Sequence, residues 1–294
     1  MADLNEILKQ KRPNLSVSSL YSYSSTLRGL HKRVFGDTDI DVKNFNKVDI
    51  IMKDLETKPA TVRKTILAIL YVLTGIEDYQ KQMTDDIKSY NEEVDKQEMN
   101  EKQKDAHLSQ EEIFTKFKEL EKKAKGLYKK AELTKKDKQA IQDYIIVALT
   151  SGIFIPPRRS LDWVQFKIKD VTDTDNFLDK NKLVFKTFKG SAKKGEQEIV
   201  APKALMAILN KWFAINETEY LLHDINGNQL NNVKLTQRLN KIFGSGFSIN
   251  NLRHSYLSEK YQGTIALAAD MEKTFEAMGS STAQSKIYIN KIAD

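Results

Sequence analysis

Four stretches of the chain carry side chains able to handle a charged phosphate ester. They are Pro156-Pro-Arg-Arg-Ser-Leu-Asp-Trp163, a lysine-rich segment from Lys182 to Lys194, Ser248-Ile-Asn-Asn-Leu-Arg-His-Ser-Tyr256, and Met278-Gly-Ser-Ser-Thr-Ala-Gln-Ser-Lys-Ile-Tyr288. Arginine suits such a group because its fork is always charged and reaches two phosphate oxygens at once. A tyrosine hydroxyl becomes a nucleophile once its proton, of ordinary pKa roughly 10, is removed. From Lys180 to Lys194 there are six lysines and no acid, a composition that suits gripping a nucleic-acid backbone.

In this order the stretches resemble the catalytic domain of the tyrosine recombinases (the phage-integrase family), in particular its viral and mobile-element branch. The resemblance implies that Tyr288 attacks a DNA phosphate, forming a 3′-phosphotyrosyl bond and freeing a 5′-hydroxyl, with no metal or other cofactor. Arg159 and Arg253 would hold the charge that develops on the five-coordinate phosphorus. Arg159, Asp162 and Trp163 have the spacing of the family's first box, and Arg158 does not. Lys186, in Phe-Lys-Thr, matches the hairpin lysine that serves as general acid. Lys189 is its rival, and on an alternating strand the two would point to opposite faces.

Two positions depart from the family pattern. Asn250 stands where the second box usually has histidine, and Ser280 stands where the third box has histidine or tryptophan. Both can hydrogen-bond a phosphate oxygen, but neither is a general base at neutral pH. His254, directly after Arg253, is expected to support the site structurally. Lys189, Lys193 and Lys194, with Arg12, Arg63 and Lys64, are the expected DNA contacts. The implied partner is double-stranded DNA, with self-assembly on it from dimer to tetramer. Two other readings stay open: a type IB topoisomerase, which shares the chemistry but acts as a monomer, and a DNA-binding protein of the same fold with weakened catalysis.

The bulk properties agree with such a partner. The 294 residues carry a formal charge of +7, with 40% apolar and 30% charged residues, a balance suited to a globular chain that meets a polyanion. Absence of cysteine excludes disulfides, thiolate zinc sites and cysteine nucleophiles. No apolar run approaches the roughly 20 residues of a membrane span. The N-terminus lacks a basic-then-apolar signal pattern, so the expected place of work is inside a cell, with DNA. No metal-ligand spacing, glycine-rich phosphate loop or Gly-x-Ser-x-Gly elbow occurs.

Periodicity supplies the elements that must position these residues. Leu20, Tyr23, Leu27, Leu30 and Val34 share a face of a helix over 16–35, capped by serines and closed by Gly36. Asp49 to Leu55 forms a second helix. A third opens at Pro59, with Val62, Ile66, Ile69, Leu70 and Leu73 inward. Lys9 to Pro13 is expected to lead into this unit as extended chain. Glu77 to Lys104 is polar and is expected to be a solvated helix or linker, with the domain boundary near residue 105. Ser109-Gln-Glu-Glu112 has capping-box spacing, Lys116 to Lys138 an exposed helical hairpin, and Asp143 to Thr150 a buried run. Leu183 to Lys189 alternates as a strand, Gly190 to Gly195 turns, and Gln197 to Val200 returns. Leu205, Ile208, Leu209 and Trp212 mark one buried helix face, and Leu235, Leu239, Ile242 and Phe243 another.

The fold class expected is therefore mainly α. Residues 1–104 would form a helical DNA-binding domain, core-binding-like by the resemblance, with a polar helical linker from about residue 77. Residues 105–294 would form a mixed, mostly helical catalytic domain with a small antiparallel β-sheet. The resemblance implies that the two close around duplex DNA as a C-shaped clamp.

Overall fold

A computed structural model describes residues 4–37, 39–96, 98–99, 101–105 and 107–280. The fold is mostly helical, and the chain divides into two compact units, residues 1–99 and 100–294. Tyr288 lies outside the described residues.

Among the described residues every element of the first unit is helical: α1 (Leu4–Lys11), α2 (Val17–Phe35), a 3-10 turn at Val42–Asn46, α3 (Val48–Glu56), α4 (Ala60–Thr74) and α5 (Glu77–Asp95). Ser16 caps α2 by accepting from the Ser19 amide, and Gly36 ends it with φ at +83°. Three expectations are corrected here. Lys9 to Lys11 is helical rather than extended, because Leu4 and Leu8, one turn apart on α1, both bury in the core. Val62 is 45% exposed instead of inward, since the buried face of α4 runs through Ile66, Leu67, Ile69, Leu70 and Leu73. The polar stretch from Glu77 is helical and mostly exposed, one of its two expected forms, but α5 is not solvated all round. Tyr79 is fully buried and donates its hydroxyl to the Phe45 carbonyl at 2.8 Å, and Asp86 is buried as the partner of Arg63.

That ion pair explains why so polar a helix packs inward. Arg63 Nε donates to both Asp86 oxygens, at 2.8 and 3.1 Å, Nη2 adds a third bond, and Gln82 Nε2 donates to the same carboxylate at 3.1 Å. A charge removed from water persists only when paired and hydrogen-bonded in this way.

The second unit holds α6 (Glu101–Asp105), α7 (Gln110–Leu127), α8 (Lys135–Thr150), α9 (Ser160–Val164), β1 (Phe166–Lys167), β2 (Asn176–Asp179), β3 (Lys182–Phe185), α10 (Ser191–Lys194), β4 (Gln197–Val200), α11 (Lys203–Phe213), α12 (Asn232–Phe243), α13 (Ile249–Tyr261) and α14 (Ile265–Ala277). The expected capping box opens α7, with Ser109 and Glu112 bonding each other's backbone amides. The α7–α8 hairpin is exposed on its outer face, while Ile113, Phe117 and Ala124 pack on Ile141 and Tyr144 inside.

The sheet is larger than a hairpin and is mixed rather than antiparallel. Its order is β1-β2-β3-β4, with β1 parallel to β2 and the other pairs antiparallel. β3 stops at Phe185, which pairs with Gln197, so the expected strand through Lys189 is four residues too long. Lys186 and Lys189 therefore lie in the β3–β4 connection, and strand alternation does not set their directions. Trp163, Phe166 and Phe185 meet edge-on or tilted at 5.4–5.9 Å between centroids and seat α9 on the sheet.

Breaking a buried pair by removing one partner costs about 3–5 kcal/mol. Asp86→Ala should therefore lower the stability of the first unit by about 3 kcal/mol, read as an earlier denaturant midpoint. Asp54→Ala, at the more exposed pair with Arg33, should cost under about 1 kcal/mol.

Candidate functional site

The two arginines of the first box have opposite fates. Arg158 turns inward: its Nε donates to Asp162 Oδ2 at 2.7 Å, its Nη1 to Gln197 Oε1 at 3.0 Å, and its guanidinium lies 3.9 Å from the Phe185 ring centroid. Arg159 sits at the N-cap of α9 with extended backbone and is exposed. Among the described residues it forms no ion pair. Asp162, the acid of the first box and a supporting residue in the expected site, gives Oδ2 to Arg158, while its buried Oδ1 has no hydrogen-bond partner among the described residues. Burial raises the Asp162 pKa, against the attraction of Arg158, Arg159 and Arg253.

Arg253 comes from α13, whose N-terminus is closed by a capping box between Ser248 and Asn251. Its Nη1 donates to Asn250 Oδ1 at 3.4 Å. Burial, then repulsion from Arg159, lowers its pKa from the usual arginine value, while Asp162 acts the other way. Arg159, Arg253 and Asp162 thus share one electrostatic neighbourhood, with Asn250 exposed beside Arg253. His254 is exposed on the same helix.

The approach of α13 to this face depends on a glycine. Gly152 follows α8 with φ at +89°, and a methyl group there would run into Cδ2 of Tyr256. Tyr256 in turn accepts a hydrogen bond from Lys260 Nζ at 3.2 Å. Sequence patterns did not single out Gly152; the signal was a lone glycine just after a buried helix and before the first box.

The lysines divide by their partners. Lys186 Nζ lies 3.6 Å from Glu196 Oε2 and 5.4 Å from the Phe177 ring, so its ammonium is turned toward β2 and β4. Its backbone is tied to the arginine box instead: Asn176 Oδ1 accepts from the Lys186 and Thr187 amides, and Nδ2 donates to the Asp162 carbonyl. Asn176, which sequence reasoning missed, opens a strand inside an Asp/Thr/Asn-rich stretch that has the composition of a loop. Lys189, Lys193 and Lys194 are exposed, and among the described residues none is in an ion pair.

In the first unit Arg12 is exposed beyond α1, Arg63 is committed to Asp86, and Lys64 stands over the Tyr90 ring. Of these three, Arg12 is the one whose charge faces solvent without a partner among the described residues. Ser280 follows Gly279, which ends α14 with φ at +69°; the Ser280 amide donates to the Phe275 carbonyl at 2.8 Å. The Met-Gly segment is thus the left-handed stop of a helix.

A cleft of about 350 Å³ between α7, α8 and α11, lined by Phe117, Tyr144 and Phe154, contains none of these residues. No helix among the described residues is long and apolar enough to cross a membrane. No protein-family model matches the chain, and no curated protein is similar to it.

Gly152→Ala combines a left-handed backbone with a collision, so it should cost about 1–3 kcal/mol of unit stability. Removing the ring as well, in Gly152→Ala/Tyr256→Ala, should cost less than the sum of the two single changes. Denaturant unfolding of the four proteins measures that coupling; strict additivity would mean that the two residues do not constrain each other.

Proposed function

We propose that the chain cuts and rejoins DNA as a tyrosine-type site-specific recombinase of the integrase kind. The observation that carries the reading is the neighbourhood of Arg159 and Arg253: two guanidiniums from different elements, near enough to repel, beside an Asp162 carboxylate whose Oδ2 is bonded to Arg158. Such a pair is suited to a dianionic phosphorane. The order of the four sequence boxes supplies the rest.

In this reading the Tyr288 oxygen attacks phosphorus and its proton passes to water, since Asn250 and Ser280 cannot act as bases. The new P–O bond to tyrosine forms as the P–O5′ bond breaks, and Lys186 gives a proton to the departing oxygen. Rejoining is the reverse, with the 5′-hydroxyl attacking the phosphotyrosine. The bond energy is kept in that link, so the cycle needs no nucleotide cofactor. Lys186 must leave Glu196 to do this, a small cost for a solvent-exposed pair. The free cations of Lys189, Lys193 and Lys194 would track the backbone, and self-assembly on two duplexes would bring strands together for exchange.

A DNA-binding protein with weakened catalysis is the second reading, favoured by the Lys186–Glu196 contact and by Asn250. The two separate on a nicked duplex that traps covalent adduct. The recombinase reading expects an adduct with the unmodified chain and none with Tyr288→Phe, at DNA affinity within a few fold of each other. Arg159→Ala and Arg253→Ala should each slow adduct formation on the order of 100-fold or more. Binding without any adduct would favour the second reading, whereas relaxation of supercoils by a monomer, without strand exchange, would favour a type IB topoisomerase.

DNA affinity should also fall steeply with salt, by a log–log slope close to −0.9 for each phosphate neutralised. Replacing Lys189, Lys193 and Lys194 together by alanine should flatten that slope by up to about 2.7. Binding insensitive to salt would sink the nucleic-acid reading altogether.

A further inference from the structure

We infer that Asn176 is a positioning residue of this site, the clamp that fixes the proton-donating lysine relative to the first arginine box. The inference rests on the reading of Lys186 above. Asn176 is 0% exposed and its amide is fully used. Nδ2 donates to the carbonyls of Asp162 at 3.0 Å and Thr187 at 2.9 Å, and Oδ1 accepts from the amides of Lys186 at 2.9 Å and Thr187 at 2.8 Å. The orientation of the amide is set by these partners, since a flipped group would face N–H with NH₂ and C=O with oxygen.

The placement explains the need. The β3 ladder ends at Phe185, so the next two amides have no strand to pair with. Amides drawn partly out of water without partners are costly, and the buried side chain at the start of β2 substitutes for the missing strand. Its other end grips α9, at the carbonyl of the residue three beyond Arg159. Thr187 adds a second tie, donating its hydroxyl to the Thr174 carbonyl at 2.7 Å. The Lys186 backbone is thus tied in place while its side chain is held by one pair, at 3.6 Å to a half-exposed glutamate, that it can leave at small cost. A lysine built this way can reach a leaving oxygen from a fixed origin, which is what general-acid catalysis demands of geometry.

The test uses two nicked duplexes that differ at the leaving atom, 5′-oxygen in one and bridging 5′-sulfur in the other. A thiol ionises near roughly pH 8.5, so the sulfur departs without a proton donor, while the oxygen needs one. Lys186→Ala should lose cleavage of the oxygen duplex and keep that of the sulfur duplex. Asn176→Leu should do the same, with a loss on the order of 100-fold on oxygen and little change on sulfur. Asn176→Asp, isosteric and able to accept from both amides, should show a smaller loss with the same selectivity, and it decides the matter if the leucine variant does not fold. Equal losses on both duplexes would make Asn176 a general scaffold residue and overturn the inference, as would no loss on oxygen. If the unmodified chain forms adduct with neither duplex, the cleavage reading itself falls and takes this role with it. If it cleaves both and Lys186→Ala loses both equally, the reading survives and the positioning of a proton donor does not.

Discussion

The arginine face depends on the ion pair between Arg158 and Asp162 beneath it. Burial pushes the Asp162 carboxyl toward protonation, and the attraction and hydrogen bond of Arg158 oppose that. The pair persists because Arg158 is satisfied on every side: Asp162 along α9, Gln197 on β4, and the Phe185 ring on β3. These three partners lock α9 onto the sheet. With one arginine consumed in the lock, the next residue is forced outward at the helix N-cap. Consecutive arginines therefore perform separate tasks, and neither could replace the other.

The same logic runs through the first unit, where Arg63 is consumed by Asp86. A formal charge of +7 over 294 residues says little about which cations can meet a polyanion. Lysines 182 and 186 are paired across the β3–β4 hairpin with Glu198 and Glu196. The connection beyond them keeps Lys189, Lys193 and Lys194 free of such partners among the described residues. Distribution of the free charges, more than their total, sets where a nucleic-acid backbone could lie.

Long amphipathic helices were legible in the sequence because their signals are redundant. α2 has a serine cap at its start, a five-residue apolar face along it and a closing glycine at its end, and the three agree on its bounds. The short strands were not legible. β1 has two residues, and β2 follows a Thr-Asp-Thr-Asp run whose composition marks a loop. Alternation through Lys189 overran the end of β3, since period-two patterning does not report where the partner strand stops. The helix of α5 was legible but its buried face was not: Asp86 and Gln82 look solvated until Arg63 is brought alongside from α4. At the site, residue types and order pointed to Arg159 and Arg253, and no local pattern could reveal Asn176, whose partners are all backbone atoms of other segments.

What remains is a neighbourhood of two cations and one buried carboxylate. Arg253 is partly buried, and both that burial and the charge of Arg159 act against its protonated form. Asp162 pulls the other way, with Oδ2 bonded to Arg158 and the buried Oδ1 without a hydrogen-bond partner among the described residues. A fold that optimised stability alone would place a second carboxylate there or separate the two cations. In the recombinase reading proposed above, a phosphate held by both guanidiniums would offset that repulsion. A phosphate diester carries one negative charge and its five-coordinate form two, so the gain would be larger for the transition state than for the bound substrate, the difference that accelerates a reaction.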